Sequence, residues 1–311
     1  MLQQCDKILI LRQLKKINIP VHFYALAAML FWGMSFIWTT RLLAHFQPVT
    51  IIFIRLLISS AFLFILMVVS GKHERIHRED IWLFVGSAVF NPFLYFLGEN
   101  FGVKFTSATV ASVIIATIPV FSPVIAWFTF REKISRLNIF GIFVSFTGVA
   151  IMLGTRDLSL SGEGKGVLSL FGAVFSSLIF SVFLRKLTLR YSPLTIIAWQ
   201  NIIGALLFLP VFLIFERNRL GTTHLTSDIV SSFLFLSILA SSVAFVFFAR
   251  TVKEIGISKA NIYSNLIPVF TAVFSYLLLS EPFTIQKIAG ITIVIGGVYL
   301  SERNKAERKT H

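Results

Sequence analysis

Apolar runs without a charge recur from His22 almost to the C-terminus, and they leave few ways for this chain to fold. Helical runs of about 18 to 22 residues, rising about 1.5 Å per residue, match a bilayer core of roughly 30 Å. The spans read as 22–40, 49–70, 81–98, 106–130, 137–154, 166–184, 194–215, 229–249, 258–280 and 287–301. Only 14% of the residues are charged and the mean hydropathy is +0.84, whereas a soluble domain carries about 25% charged residues. The expected fold class is therefore all-α integral membrane, with ten transmembrane helices. Connections between the spans are short, the longest lying around 71–80, 155–165 and 216–228, so none leaves room for an appended soluble unit.

The formal charge of +14 does not point to nucleic acid, because its Lys and Arg residues cluster between apolar runs, where lipid headgroups lie. With the N-terminus cytoplasmic, twenty of the 28 fall on the inner side and seven in outer loops. The positive-inside rule then places both termini in the cytoplasm, as an even number of spans requires. The segment 1–21 reads as a cytoplasmic tail, since the apolar run after it is too long for a signal peptide and lacks a small-residue cleavage site. Cys5, the sole cysteine, permits neither an intrachain disulfide nor a CxxC site and reads as an inert thiol. No cofactor or metal is expected.

The chain repeats itself. Shifted by 149 residues, Ile118-Pro119-Val120-Phe121 falls on Ile267-Pro268-Val269-Phe270, and Glu132, Gly141 and Gly148 fall on Glu281, Gly290 and Gly297. Pro48-Val49-Thr50 matches Pro193-Leu194-Thr195 at an offset of 145, and Asp80-Ile81 matches Asp228-Ile229 at 148. Five spans per half make the second half enter the membrane from the opposite side, giving inverted repeats that can exchange inward-open and outward-open shapes. The expected organisation is a repeat over 22–154, a linker over 155–165, a repeat over 166–301 and a cytoplasmic tail over 302–311.

Trp32-Gly33, Pro48 followed by Arg55, the duplicated Pro-Val-Phe, the Glu residues after it and the glycines of spans 5 and 10 carry a resemblance to a known family. In that order and spacing, the chain resembles the EamA-domain branch of the drug/metabolite transporter superfamily over about residues 25–301. The resemblance implies a 5 + 5 helix bundle, alternating access, and commonly export of amino acids or other metabolites. One departure stands out: span 6 has Ser177-Leu178 where span 1 has Trp32-Gly33, so any site is asymmetric.

Arg55 is the only formal charge well inside a span, about 9 Å below the outer end of span 2. A charge at that depth costs a few kcal/mol unless paired or hydrated, so it faces a cavity or snorkels between helix ends. Glu99 and Asn100 close span 3 on the same side, which makes Glu99 a partner for Arg55. The remaining candidate binding residues are Asn91 and Tyr95 in span 3, Trp199 and Gln200 in span 7, Asn261 and Asn265 in span 9, and Trp32 in span 1. Each asparagine serves either solute contact or interhelical bonding, and each aromatic either stacking or packing. Pro119 and Pro268 remove backbone donors inside spans 4 and 9, as fixed kinks or as gating hinges.

No Walker A sequence is present, so ATP does not drive transport from within this chain, and no hydrolase or deaminase motif marks an enzyme. The expected function is secondary export of amino acids or related small polar solutes across a bacterial inner membrane. Proton coupling through Glu99 stays open, and a monomer suffices although a dimer is not excluded. The alternatives are efflux of cationic drugs, or a scaffold or lipid-handling enzyme on the same fold; buried carboxylates suited to cations are few.

Overall fold

The structure, a computed structural model, describes residues 19–71, 74–121, 136–153, 163–217, 225–282 and 284–307. Cys5 and Glu132 lie outside the described residues. Every regular element among those described is helical. The helices are α1 Ile19–Leu43, α2 Pro48–Val69, α3 Arg78–Phe105, α4 Ala108–Phe121 and α5 Arg136–Leu153. They continue with α6 Glu163–Thr188, α7 Pro193–Phe215 and α8 Ser227–Ile255. Next come α9, in three pieces (Ile257–Ile262, Tyr263–Leu266 and Ile267–Leu279), and α10 Ile285–Glu307.

Six of these, α1, α2, α3, α6, α7 and α8, are long and apolar enough to cross a membrane, and α4, α5, α9 and α10 contain shorter apolar stretches. Ile65, Val69, Leu206, Phe215 and Leu277 are each more than half exposed, so the outward faces of the helices are apolar. An exterior of that character suits lipid rather than water. The chain is a multi-pass membrane protein.

Short polar side chains start several helices by bonding the free amides of the first turn. Ser107, Ser192 and Thr226 accept from Val110, Thr195 and Ile229, and proline opens α2 and α7 where no donor is needed. Gly256, at φ +81°, makes the tight turn from α8 into α9, a conformation that a side chain would strain.

The connecting segments gather into two rims. On one, Lys104 Nζ donates to Gln47 Oε1 (2.7 Å), and Glu281 accepts from Thr109 (2.7 Å) and Lys287 (3.1 Å). On the other, Asp80 accepts from Arg190 Nη1 and the Tyr191 hydroxyl, both at 2.7 Å, while Lys253 reaches the Tyr191 carbonyl (3.3 Å). Loops that alternate along the chain thus meet their own kind.

Two helix pairs contact each other reciprocally. In α2 and α7, Glu216 at the end of α7 accepts from the amides of Val49 (3.3 Å) and Thr50 (2.6 Å) and from the Thr50 hydroxyl (2.8 Å). At the opposite rim Glu74, just beyond α2, accepts from the Ser192 amide at 2.8 Å. Each carboxylate sits at the positive end of the other helix. In α5 and α10, a Cβ on Gly148 would lie 2.8 Å from the Val294 backbone nitrogen and 2.9 Å from the Gly290 oxygen. A Cβ on Gly297 would lie 2.7 Å from the Ser145 nitrogen and 2.8 Å from the Gly141 oxygen. Small residues let these backbones touch.

Glu216→Ala removes the acceptor for two buried amides and is expected to cost about 1–2 kcal/mol, the usual range for a lost cap; thermal unfolding in detergent checks it. An unchanged midpoint would show that water replaces the carboxylate. For Glu74, burial pushes its pKa up, but bonds from Ser192 and Thr195 and the charge of Lys253 outweigh it and hold the carboxyl below its ordinary 4.5. A depressed carboxylate stabilises the fold above its unfolded pKa, and the effect is lost as pH falls through the folded one. The stability gap between wild type and Glu74→Gln is therefore expected to close as pH drops below 4.5 in a titration of unfolding midpoints.

Candidate functional site

Helices α3 and α8 both lose regularity near mid-span, and Asn91 of the α3 break lines the cavity. In α3 a wide turn covers Val89–Leu94, with Asn91 in a non-helical conformation; in α8 a similar turn covers Phe235–Val243. Wide turns free carbonyls, which neighbouring helices then claim. The Phe90 carbonyl accepts from Ser176 Oγ of α6 at 2.7 Å, and Ala240 accepts from Trp32 Nε1 of α1 at 3.3 Å. Asn201 Nδ2 of α7 reaches the Ser241 carbonyl (3.0 Å) and Ser59 Oγ (2.7 Å). A Cβ on Gly204 would strike Pro92 at 2.3 Å, so the bulge of α3 seats against a bare stretch of α7.

A cavity of about 60 Å³ lies between α1, α2, α3, α4, α6, α8 and α9. That space holds roughly four water molecules. Its charged end is built on the first half of the chain. Arg55 of α2 is 2% exposed; its Nε donates to Ser241 Oγ at 2.8 Å and its Cζ stacks 3.9 Å over the Phe96 ring. Glu99 of α3 accepts from the Tyr95 hydroxyl at 3.2 Å. The two charges face each other at 3.8 Å, Nη1 to Oε2, which is an ion pair but too long for a hydrogen bond. Enclosed as it is, Arg55 Nη1 bonds no described residue.

Of the residues singled out from sequence, Arg55, Asn91, Tyr95, Glu99, Asn261 and Trp32 all line this cavity. Glu99 sits deeper in helix than its reading as a span end implied, because α3 runs on to Phe105. Gln200 lies one layer back: it accepts from Ser87 Oγ at 3.0 Å and donates to Asn91 Oδ1 at 3.4 Å. Trp199 points away, 36% exposed and edge-on to Phe64. Asn265 does not reach the cavity, and its buried Oδ1 bonds no described residue. Pro268 opens the second half of α9 after a tight turn over Tyr263–Leu266, and Pro119 follows the matching break at Ala116–Thr117.

Several lining residues escaped the sequence reading. Ser177, Phe180, Ser181 and Leu184 occupy one face of α6 at i, i+3, i+4 and i+7, and Phe245 and Phe248 close the α8 wall. The available signal was the 145-residue offset, which carries Trp32, Ser35 and Phe36 of α1 onto Ser177, Phe180 and Ser181. Arg55 maps onto Gln200 by the same offset, so the second half contributes an amide where the first contributes a charge.

The profile of the EamA-like transporter family matches residues 19–154 and again residues 164–303. The chain belongs to the EamA-like transporter family. An uncharacterized transporter of Archaeoglobus fulgidus is 26% identical over 275 residues, covering 88% of this chain and 96% of its own. The Bacillus subtilis proteins YvbV and YoaV, both named as uncharacterized transporters, are each 25% identical, over 89% and 90% of this chain and 90% and 96% of their own. A solved crystal structure superposes with a TM-score of 0.67 at 14% identity, covering 94% of this chain and 99% of that one, a likeness of fold alone. Each half of this EamA protein supplies walls to this cavity.

Removing one partner of a buried ion pair strands the other, at about 3–5 kcal/mol. Arg55→Ala is accordingly expected to destabilise the protein more than the double variant Arg55→Ala/Glu99→Gln, by chemical unfolding in mixed micelles. A single variant as stable as the double would mean that Glu99 carries no charge in the cavity.

Proposed function

We propose that the protein is a secondary transporter that exports amino acids or related small polar metabolites by alternating access between two inverted five-helix repeats. The repeats run over 22–154 and 166–301, joined by the linker 155–165 and flanked by cytoplasmic tails over 1–21 and 302–311. The reciprocal carboxylates of α2 and α7 and the reciprocal glycines of α5 and α10 support this organisation, because contacts exchanged in both directions are what a two-fold relation produces. Both termini then lie in the cytoplasm of a bacterial inner membrane, and one chain supplies both halves of the pathway.

The observation that carries the reading is the Arg55–Glu99 pair, held apart at 3.8 Å in the cavity with a guanidinium nitrogen unsatisfied. Arg55 offers donors for a carboxylate and Glu99 an acceptor for an ammonium group. The pair is neutral overall, so a zwitterion enters without adding net charge to a low-dielectric site, whereas a lone cation or anion leaves one behind. A lone cationic drug would have to share Glu99 with the Arg55 guanidinium 3.8 Å away, which repels it. Glu99 is also the one carboxylate among the described lining residues, so a coupled proton would reside there. Pro119 and Pro268, each beginning the second half of a broken helix, are the hinges about which α4 and α9 bend.

The test is flux through purified protein in liposomes, with labelled amino acids, nucleosides and cationic dyes, with and without a pH gradient. Saturable amino-acid flux is expected. Arg55→Lys keeps the charge but loses the planar fork and is expected to lower that flux about tenfold, a loss of roughly 1.4 kcal/mol in transition-state binding. Unaltered flux in the variant removes Arg55 from recognition, and flux of dyes alone removes the amino-acid reading.

A further inference from the structure

The two halves of the cavity wall are built to opposite sizes. At the 145-residue offset, Trp32 pairs with Ser177, Ser35 with Phe180 and Phe36 with Ser181, and all six line the cavity. Wherever one repeat places a ring, the other places a serine. Strict two-fold symmetry would offer two equal lobes, one beside α1 and one beside α6. Trp32 fills the first, packing against Phe245 and Phe248 with ring centroids 4.9 and 5.0 Å away. Its counterpart Ser177 puts no ring at the equivalent position beside α6.

We propose that Ser177 and Ser181 hold open a lobe of the cavity that receives the uncharged side chain of the transported solute. The inference rests on reading this cavity as the solute site. Ser181 Oγ donates to its own helix at the Leu178 carbonyl (2.6 Å), so it presents a small, satisfied surface. Ser177 Oγ bonds no described residue and is available to a polar group on the solute. Leu184 and Phe180 give the lobe apolar walls.

Charge falls on the other side. Arg55 and Glu99 both belong to the first half, and the second-half equivalent of Arg55 is Gln200, which stands behind the lining. A solute whose carboxylate and ammonium groups meet Arg55 and Glu99 therefore points its side chain toward a wall without a counter-charge. Ionised side chains in that lobe would lose their hydration and gain no partner. The lobe thus selects zwitterions with neutral side chains over basic or acidic ones, and its depth limits their size.

The experiment measures uptake of an equimolar mixture of radiolabelled neutral amino acids into proteoliposomes, with unlabelled lysine or glutamate as competitors. Ser177→Trp and Ser181→Phe copy the first-half residues into the lobe and are expected to cut uptake about tenfold, a change of roughly 1.4 kcal/mol. Leu168→Trp, at an exposed position of the same helix, is expected to leave uptake within about twofold. Lysine and glutamate are expected to compete poorly. Wild-type uptake in both bulky variants, with Arg55→Ala inactive, overturns the lobe and leaves the site reading intact. Wild-type uptake in Arg55→Ala as well, or none by the wild type, overturns both. Should the bulky variants fail to fold, Ser177→Cys in a Cys5→Ser background decides. Modification by aminoethyl methanethiosulfonate that blocks uptake supports the lobe, whereas an unreactive thiol, or one modified without loss of uptake, overturns it.

Discussion

A carbonyl without a partner inside a bilayer has no water to turn to, and this constraint shapes the centre of the molecule. Regular helices would satisfy every backbone group, but they would also pack into a closed bundle. α3 and α8 instead break at mid-span, and side chains of neighbouring helices donate to carbonyls at each break. Ser176 serves the Phe90 carbonyl, Trp32 serves Ala240 and Asn201 serves Ser241. The donors come from α6, α1 and α7, so the irregular turns bind the two halves of the chain together.

The same economy governs the charge. Arg55 is buried almost completely, and its aliphatic and π surfaces are well used by the Phe96 ring, yet its Nη1 remains unsatisfied. Buried donors are ordinarily paired, so the open one on Arg55 is the feature on which the proposed solute site rests. Ser241 fixes Arg55 through Nε alone, which orients the fork without consuming it. Tyr95 does the equivalent for Glu99 through a single oxygen. Both charges are therefore positioned by one bond each and left with capacity to spare.

How much of this was legible from the residues follows from what each pattern encodes. Apolar runs encode the spans, and a lone charge in such a run encodes a cavity, so Arg55, Glu99, Asn91, Tyr95, Trp32 and Asn261 were found in sequence and meet in space. Trp199 and Gln200 were ambiguous because adjacent residues on a helix point about 100° apart, and sequence alone does not give the rotation of α7. One faces outward beside Phe64 and the other braces Asn91. The breaks in α3 and α8 were illegible for a different reason. Pro92 accompanies the first, but no residue of Phe235–Val243 is a proline or glycine, so tertiary bonding rather than local propensity creates the second.

Duplication explains the scaffold, and its failures explain the site. Where the halves agree, as at Thr50 and Thr195 or at Gly148 and Gly297, the residues join a helix of one half to a helix of the other. Where they differ, as at Arg55 and Gln200 or Trp32 and Ser177, the residues face the cavity or stand just behind it. A perfectly repeated chain would surround its solute with equal walls and could not prefer one orientation of a zwitterion over its reverse. If the chain carries a zwitterion as proposed, unequal walls would give it a single way to sit.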